Sequence, residues 1–139
     1  MMLWFWMKPS AILETILYAN SIEEAVWFYH EVLGLDMPKG QSDLMTLFRI
    51  DANHVLLIFD PKVSDRPGRD VPSHGARGPG HLALRIRDSE YQKWLDKLSE
   101  FGIAIEQEIV WEREYLAKSI YVRDPSGNSI ELITEDIWR

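Results

Sequence analysis

Residues 21–34 read SIEEAVWFYHEVLG, and residues 89–102 read SEYQKWLDKLSEFG. Each opens on a serine followed three residues later by Glu24 or Gln92. That is capping-box spacing, in which the serine side chain satisfies a free N–H of the first helical turn. In the first stretch Ile22, Val26, Tyr29 and the Val32/Leu33 pair recur at helical spacing. In the second, Tyr91, Trp94, Leu95 and Leu98 stand at i, i+3, i+4 and i+7. Each segment therefore lays one apolar stripe against a core. Gly34 and Gly102 follow the stripes, where glycine closes a helix in the left-handed conformation. The pattern predicts two amphipathic helices of similar length.

Working outward, each helix has a strand-like run before it, residues 11–19 and 81–87. After the first come 44–50 and 54–59, joined by Asp51-Ala52-Asn53. After the second come 103–111, 118–123 and 129–134, the last two joined by Asp124-Pro125-Ser126-Gly127-Asn128. Proline at the second turn position with glycine at the left-handed position is a hairpin signal. An extended piece near 37–40 is the expected remaining strand of the first half. The order is βαβββ, twice, and the spacing from Glu14 to Gly34 matches that from His81 to Gly102 to within one residue. Such self-similarity sets the architecture. We expect an α+β domain with a leader at 1–10, a first module at 11–60, a loop linker at 61–79 and a second module at 80–139. The linker expectation rests on four prolines and four glycines within residues 61–80, too many for a regular element.

The 139 residues carry 15 Lys+Arg against 22 Asp+Glu, a formal charge of −7. One domain of this length is ordinary. With 46% hydrophobic and 27% charged residues, the chain has enough apolar side chain for a core and is not disordered. The acidic balance argues against nucleic acid, whose phosphates need a basic face, and against anionic membrane. There is no cysteine, so disulfides, thiolate nucleophiles and cysteine-held metals are excluded, in keeping with a reducing, cytoplasmic setting. The opening MMLWFWM is too short to span a bilayer and lacks the basic region of a signal peptide. It reads as a leader that packs on the surface or frays, with Met7 an alternative start, or as an arm placing Trp4 and Trp6 on a partner subunit.

Overlaying the halves places residues 13–17 on 80–84 and 53–57 on 128–132, so that Glu14, Leu56, His81 and Glu131 occupy equivalent positions. Strand alternation puts Leu82, Leu84 and Ile86 on one face and His81, Ala83 and Arg85 on the other. In the last strand Glu131 opposes Ile130 and Leu132 in the same way, and Glu14 shares its face with Ile12, Ile16 and Tyr18. One imidazole and two carboxylates, Glu14, His81 and Glu131, can hold a divalent ion and leave positions open. The two-oxygen set suits Fe, Mn or Ni over Zn. The same three residues also suit a solvated sheet face with no ion.

The sequence resembles the vicinal oxygen chelate superfamily, which includes glyoxalases, bleomycin-resistance proteins and extradiol dioxygenases. The matching pieces are Trp27-Phe28-Tyr29, Val32-Leu33-Gly34-Leu35, Gly80-His81-Leu82-Ala83-Leu84 and residues 121–132, YVRDPSGNSIEL. The resemblance implies two βαβββ modules whose curled mixed sheets form a cup, with ligands from the first and last strands of each. Carried over, these are Glu14, Leu56, His81 and Glu131, of which leucine cannot bind, as in members with three ligands. The implied chemistry is chelation of two substrate oxygens and stabilisation of an oxyanion or enediolate, with Glu131 or Glu14 moving a proton. A small molecule is the implied partner, and a homodimer, sometimes swapped, the implied assembly. The alternative is a metal-free binding protein that sequesters a small molecule.

Further candidates surround this set. His74 is expected over the cup mouth, or as an uninvolved loop histidine. Arg85, sharing the face of His81, is expected to hold a substrate carboxylate or phosphate by bidentate contact, with Arg123 second to it and equally suited to a strand-edge ion pair. Tyr18 and Tyr121 are expected to line the cup. His54 is read as a turn residue and His30 as an exposed helical one.

Overall fold

The computed structural model describes residues 4–139. Met1, Met2 and Leu3 of the expected leader lie outside the described residues, and Trp4, Phe5, Trp6 and Met7 form an exposed turn. The elements are β1 (Glu14–Tyr18), α1 (Ile22–Val26) running on as a π-helical segment (Trp27–Val32), β2 (Met45–Arg49), β3 (Val55–Phe59), α2 (Pro61–Ser64), β4 (His81–Arg85), α3 (Tyr91–Glu100), β5 (Gln107–Glu112), β6 (Leu116–Arg123) and β7 (Ser129–Ile133). The first sheet has the order β1-β3-β2 and the second β4-β7-β6-β5. In each, the strand preceding the helix pairs parallel to the last strand, β1 with β3 and β4 with β7. The Val55-Leu56-Leu57-Ile58-Phe59 run is buried at every position because β3 is central and covered on both faces.

Both sheets turn one face to a common core. Leu17, Phe48, Leu56 and Ile58 from the first meet Ile120, Val122, Ile130 and Leu132 from the second around Phe28, Tyr29, Val32 and Leu98 of the helices. The opposite faces are separate. Val55, Leu57 and Phe59 form their own cluster with Ile16 and Tyr18, while the far side of the second sheet lines a cavity.

The halves are joined at the 124–128 turn. The buried Asp124 carboxylate accepts hydrogen bonds from the Tyr29 hydroxyl at 2.7 Å and from Ser126 N, Asn128 N and Asn128 Nδ2 at 2.9 Å each. The Asn128 side chain also donates to the Tyr18 carbonyl and accepts from Gly80 N, both at 2.8 Å. Gly80 is closely packed: a Cβ there would lie 3.0 Å from Leu17 Cδ2 and 3.3 Å from Asn128 Oδ1, so both would have to shift. Burial, and then the Asp124 charge, raise the Tyr29 hydroxyl well above its ordinary pKa, so it remains a donor.

Four local expectations change. Residues 37–40 form no strand; Lys39 N donates to the Leu47 carbonyl, but pairing goes no further. The Ser21 cap forms, accepting from Glu24 N at 3.2 Å, whereas Ser89 caps nothing. It lies inside a 3₁₀ turn, Asp88–Glu90, through which the chain enters α3. The linker opens on α2 rather than loop, because Asp60 Oδ1 accepts from Lys62 N and Pro61 needs no N–H partner at the first helical position. Finally, β3 is offset by one residue. Glu14 lies opposite Val55 and His81 opposite Ser129, so the position matching Glu131 is Leu57, not Leu56. The turns before β3 and β7 each span five residues, 50–54 and 124–128, so His54 rather than Asn53 matches Asn128, and Leu56 faces the core. No helix among the described residues is long and apolar enough to cross a membrane.

The Asn128 bridge makes the fold testable. Asn128→Ala strands Gly80 N and the Tyr18 carbonyl, and urea unfolding is expected to show a loss of about 2–3 kcal/mol. Ser126→Ala, which removes one exposed contact to Asn20 N, is expected to cost less than about 1 kcal/mol. Equal losses would remove the bridge from its place in the fold.

Candidate active site

The cavity-facing side of the second sheet carries its chemistry along a diagonal. Trp111 lies opposite Ala117, two residues from Ser119. Glu131 lies opposite Tyr121, again two residues from Ser119. His81 stands two residues before Ala83, the parallel partner of Glu131. Residues two apart on a strand share a face, so long side chains meet across such diagonals. The result is a continuous row, Trp111–Ser119–Glu131–His81, crossing all four strands.

The contacts along it are specific. His81 Nε2 stands 3.4 Å from Glu131 Oε1, and the two side chains are 50% and 9% exposed. His81 Nδ1 lies 3.1 Å from Ser129 Oγ. Ser119 Oγ donates to Glu131 Oε2 at 2.7 Å and accepts from Trp111 Nε1 at 2.8 Å. Tyr121 stacks over His81 with 6.3 Å between ring centroids. Burial, and secondarily the Glu131 carboxylate, push the Tyr121 hydroxyl up to about 12, so it stays a neutral donor. His81, Trp111, Tyr121 and Glu131 with Ala83, Arg85 and Ile133 line a cavity of about 550 Å³, bounded on one side by Glu135, Asp136, Ile137 and Trp138 of the C-terminal tail. That size accommodates a small molecule.

Of the candidates, His81, Glu131, Tyr121 and Arg85 share this cavity. Arg85 is engaged by the chain's own Glu135 at 2.6 Å, and Arg139 approaches the same carboxylate at 3.6 Å. Glu14 is not among the lining residues; it is exposed on β1 of the other sheet. Tyr18 and His74 meet each other, hydroxyl to Nδ1 at 2.7 Å, with Phe59 against the imidazole, and they cover the first sheet rather than the cavity. Arg123 makes the strand-edge ion pair, with Glu106 at 2.7 Å. His54 contacts Thr15 Oγ1 at 2.7 Å, and the half-buried His30 approaches the Leu35 carbonyl at 2.6 Å. Ser119, Trp111 and Glu135 were missed. Shared parity with Tyr121 could have disclosed Ser119; nothing local marked the tail.

Among the described residues no three His, Asp or Glu side chains form an ion-binding group, so the Glu14–His81–Glu131 set is not assembled within one chain. The His81–Glu131 pair does fit two positions of such a group. In the tautomer whose Nδ1–H donates to Ser129 Oγ, Nε2 presents a lone pair toward a carboxylate oxygen; in the other, Nε2–H points to that oxygen. Two acceptors held this close need a proton or a cation between them.

Two sheets of similar strand order, each pairing its first strand parallel to its last, with a cavity on the outer face of the second, define the fold class. The chain belongs to the Glyoxalase/Bleomycin resistance protein/Dioxygenase superfamily, whose family model matches residues 11–132. Among solved structures it is similar to a lactoylglutathione lyase from Agrobacterium tumefaciens, with 35% identity, TM-score 0.84, and coverage of 94% of this chain and 98% of that one. It shares the fold of the oxidase ChaP-H1 at 19% identity and TM-score 0.66, covering 94% of this chain and all of the other. Protein YraH of Bacillus subtilis (strain 168) is 24% identical over 122 residues, 87% of this chain and 95% of YraH.

The Tyr121 environment sets a pH test. Its folded pKa lies above the unfolded value of 10.0. Its contribution to stability is therefore fully present below pH 10 and lost as pH rises toward 12. The ultraviolet titration difference between wild type and Tyr121→Phe is expected to show a phenolate with a midpoint near 12. A midpoint at the ordinary tyrosine value would refute the environment described.

Proposed function

We propose that this chain is a metal-dependent small-molecule enzyme of the glyoxalase/dioxygenase type, acting as a cytoplasmic homodimer. The observation that carries this reading is the His81–Glu131 pair, 3.4 Å apart at the base of the cavity. His81 Nε2 and Glu131 Oε1 would hold a divalent Fe, Mn, Ni or Zn ion, with Glu14 supplied by a second copy. A homodimer is supported by the exposed position of Glu14, beside the exposed Ile12 and Leu13. Leu57 occupies the fourth position, so three protein donors remain and the other positions are free for substrate oxygens.

The bound ion would supply Lewis-acid polarisation and charge stabilisation at two adjacent substrate oxygens. The chain's residues do the rest. Ser129 orients the imidazole through Nδ1. The Tyr121 hydroxyl, protonated to about 12, donates a hydrogen bond to an oxygen that gains negative charge. Glu131 or Glu14 takes a proton from the substrate and returns it. Trp111, Tyr121 and Ile133 give the cavity its apolar wall. Arg85 receives an acidic substrate group when Glu135 releases it, and His74 with Tyr18 reaches substrate from the first sheet of the second copy. The likeness to a lactoylglutathione lyase supports lyase chemistry; leucine in the fourth position favours the three-donor, oxidative branch.

A metal-free binding protein is the second reading, favoured by Leu57 and by the separation of Glu14 from the pair within one chain. Metal analysis and calorimetry after loading with Fe(II), Mn(II), Ni(II) or Zn(II) decide between them. Wild type is expected to bind one ion per chain. His81→Ala and Glu131→Gln are expected to bind it about 100-fold or more weakly, since even outer residues of such sites contribute 10–100-fold. Wild type that takes up no ion, with both variants indistinguishable from it, leaves the binding-protein reading.

A further inference from the structure

We propose that Ser119 and Trp111 are positioning residues that hold Glu131 in its ligand orientation; this rests on the metal-dependent reading above. Ser119 is fully buried in the middle of β6, with its hydroxyl on the cavity face. Both of its hydrogen bonds go to residues lining the cavity, Trp111 and Glu131. The indole N–H can only donate. Ser119 Oγ therefore accepts from Trp111, and its single proton goes to Glu131 Oε2 at 2.7 Å. The direction of the chain is fixed from the aromatic wall inward.

The consequence falls on the other carboxylate oxygen. With Oε2 tied to Ser119, Glu131 presents Oε1 to His81 Nε2, the two atoms 3.4 Å apart. The carboxylate cannot swing away without stranding the proton of the buried Ser119 hydroxyl, which is costly to leave unpaired. Serine is also small enough to leave the cavity open beside Glu131. A ligand held by outer contacts in this way keeps its geometry before the ion arrives, which raises affinity. The diagonal row is thus a single device: the indole sets the hydroxyl, the hydroxyl sets the carboxylate, and the carboxylate faces the imidazole.

Two measurements test it. In ¹H–¹⁵N spectra of the metal-free protein, the Trp111 indole signal is identified by its loss in Trp111→Phe. It is expected to move in Ser119→Ala and also in Glu131→Gln, two steps along the chain. In Mn(II) and Ni(II) calorimetry, Ser119→Ala is expected to weaken binding 10–100-fold, with Trp111→Phe shifting it in the same direction. Ser119→Thr, which keeps the hydroxyl, is expected to restore binding and thereby separate positioning from loss of structure. Ser119→Ala binding as tightly as wild type, or an indole signal indifferent to Glu131→Gln, overturns the proposal. If wild type binds neither ion while the indole signal responds to both substitutions, the metal reading falls and the positioning of Glu131 stands.

Discussion

The structure depends on how one buried carboxylate is satisfied. Asp124 is 5% exposed and has no cationic partner among the described residues. An unpaired charge in such a place is prohibitive. Here four neutral donors surround it: a hydroxyl from the first helix, two backbone amides of its own turn and the amide of Asn128. A carboxylate offers about four acceptor sites, so the group is saturated. One donor, Tyr29, comes from the other half of the chain. Asn128, locked by Asp124, then reaches the Tyr18 carbonyl at the end of β1 and the Gly80 amide just before β4. The 124–128 turn thereby sets the relation of the two sheets and the start of the strand that carries His81.

The site follows from that placement. Once β4 begins at His81 and pairs parallel with β7, His81 and Glu131 are diagonal neighbours on the face away from the core. The antiparallel pairing of β6 with β7 and β5 extends the diagonal to Ser119 and Trp111. The first sheet repeats the geometry with different chemistry. Its corresponding face carries Val55, Leu57 and Phe59, packed with Ile16 and Tyr18, and Glu14 at its exposed end. Two sheets of one design thus present a polar row and an apolar cluster.

Much of this is legible in the residues. Ser21, Gly34, Gly102 and the 124–128 turn each act within a few positions of themselves, so local spacing reveals them. Alternation separated Leu82 and Leu84 from His81 and Arg85, and Ile130 and Leu132 from Glu131, because a strand's period is two whatever surrounds it. The failures have equally local causes. Ser89 carries the capping spacing but sits in a 3₁₀ turn. The turns before β3 and β7 are equally long, so matching Asn53 to Asn128 slips the halves by one residue, and such a slip moves a side chain to the other face; strand pairing matches His54 to Asn128 and puts Leu57 rather than Leu56 in the ligand position.

By itself the sequence determined the class of fold, the two helices with their flanking strands, and which face of each second-half strand would carry His81 and Glu131. Periodicity and turn chemistry act over short distances, and the chain order contains them. Tertiary structure decided which candidates meet. It brought His81 to Glu131, set Glu14 on the other sheet, paired Tyr18 with His74 away from the cavity, and closed Arg85 onto Glu135. It also recruited Ser119 and Trp111, two residues with no signature of their own. Cross-strand register and the path of the C-terminal tail arise from pairing between distant segments, and no local pattern encodes that.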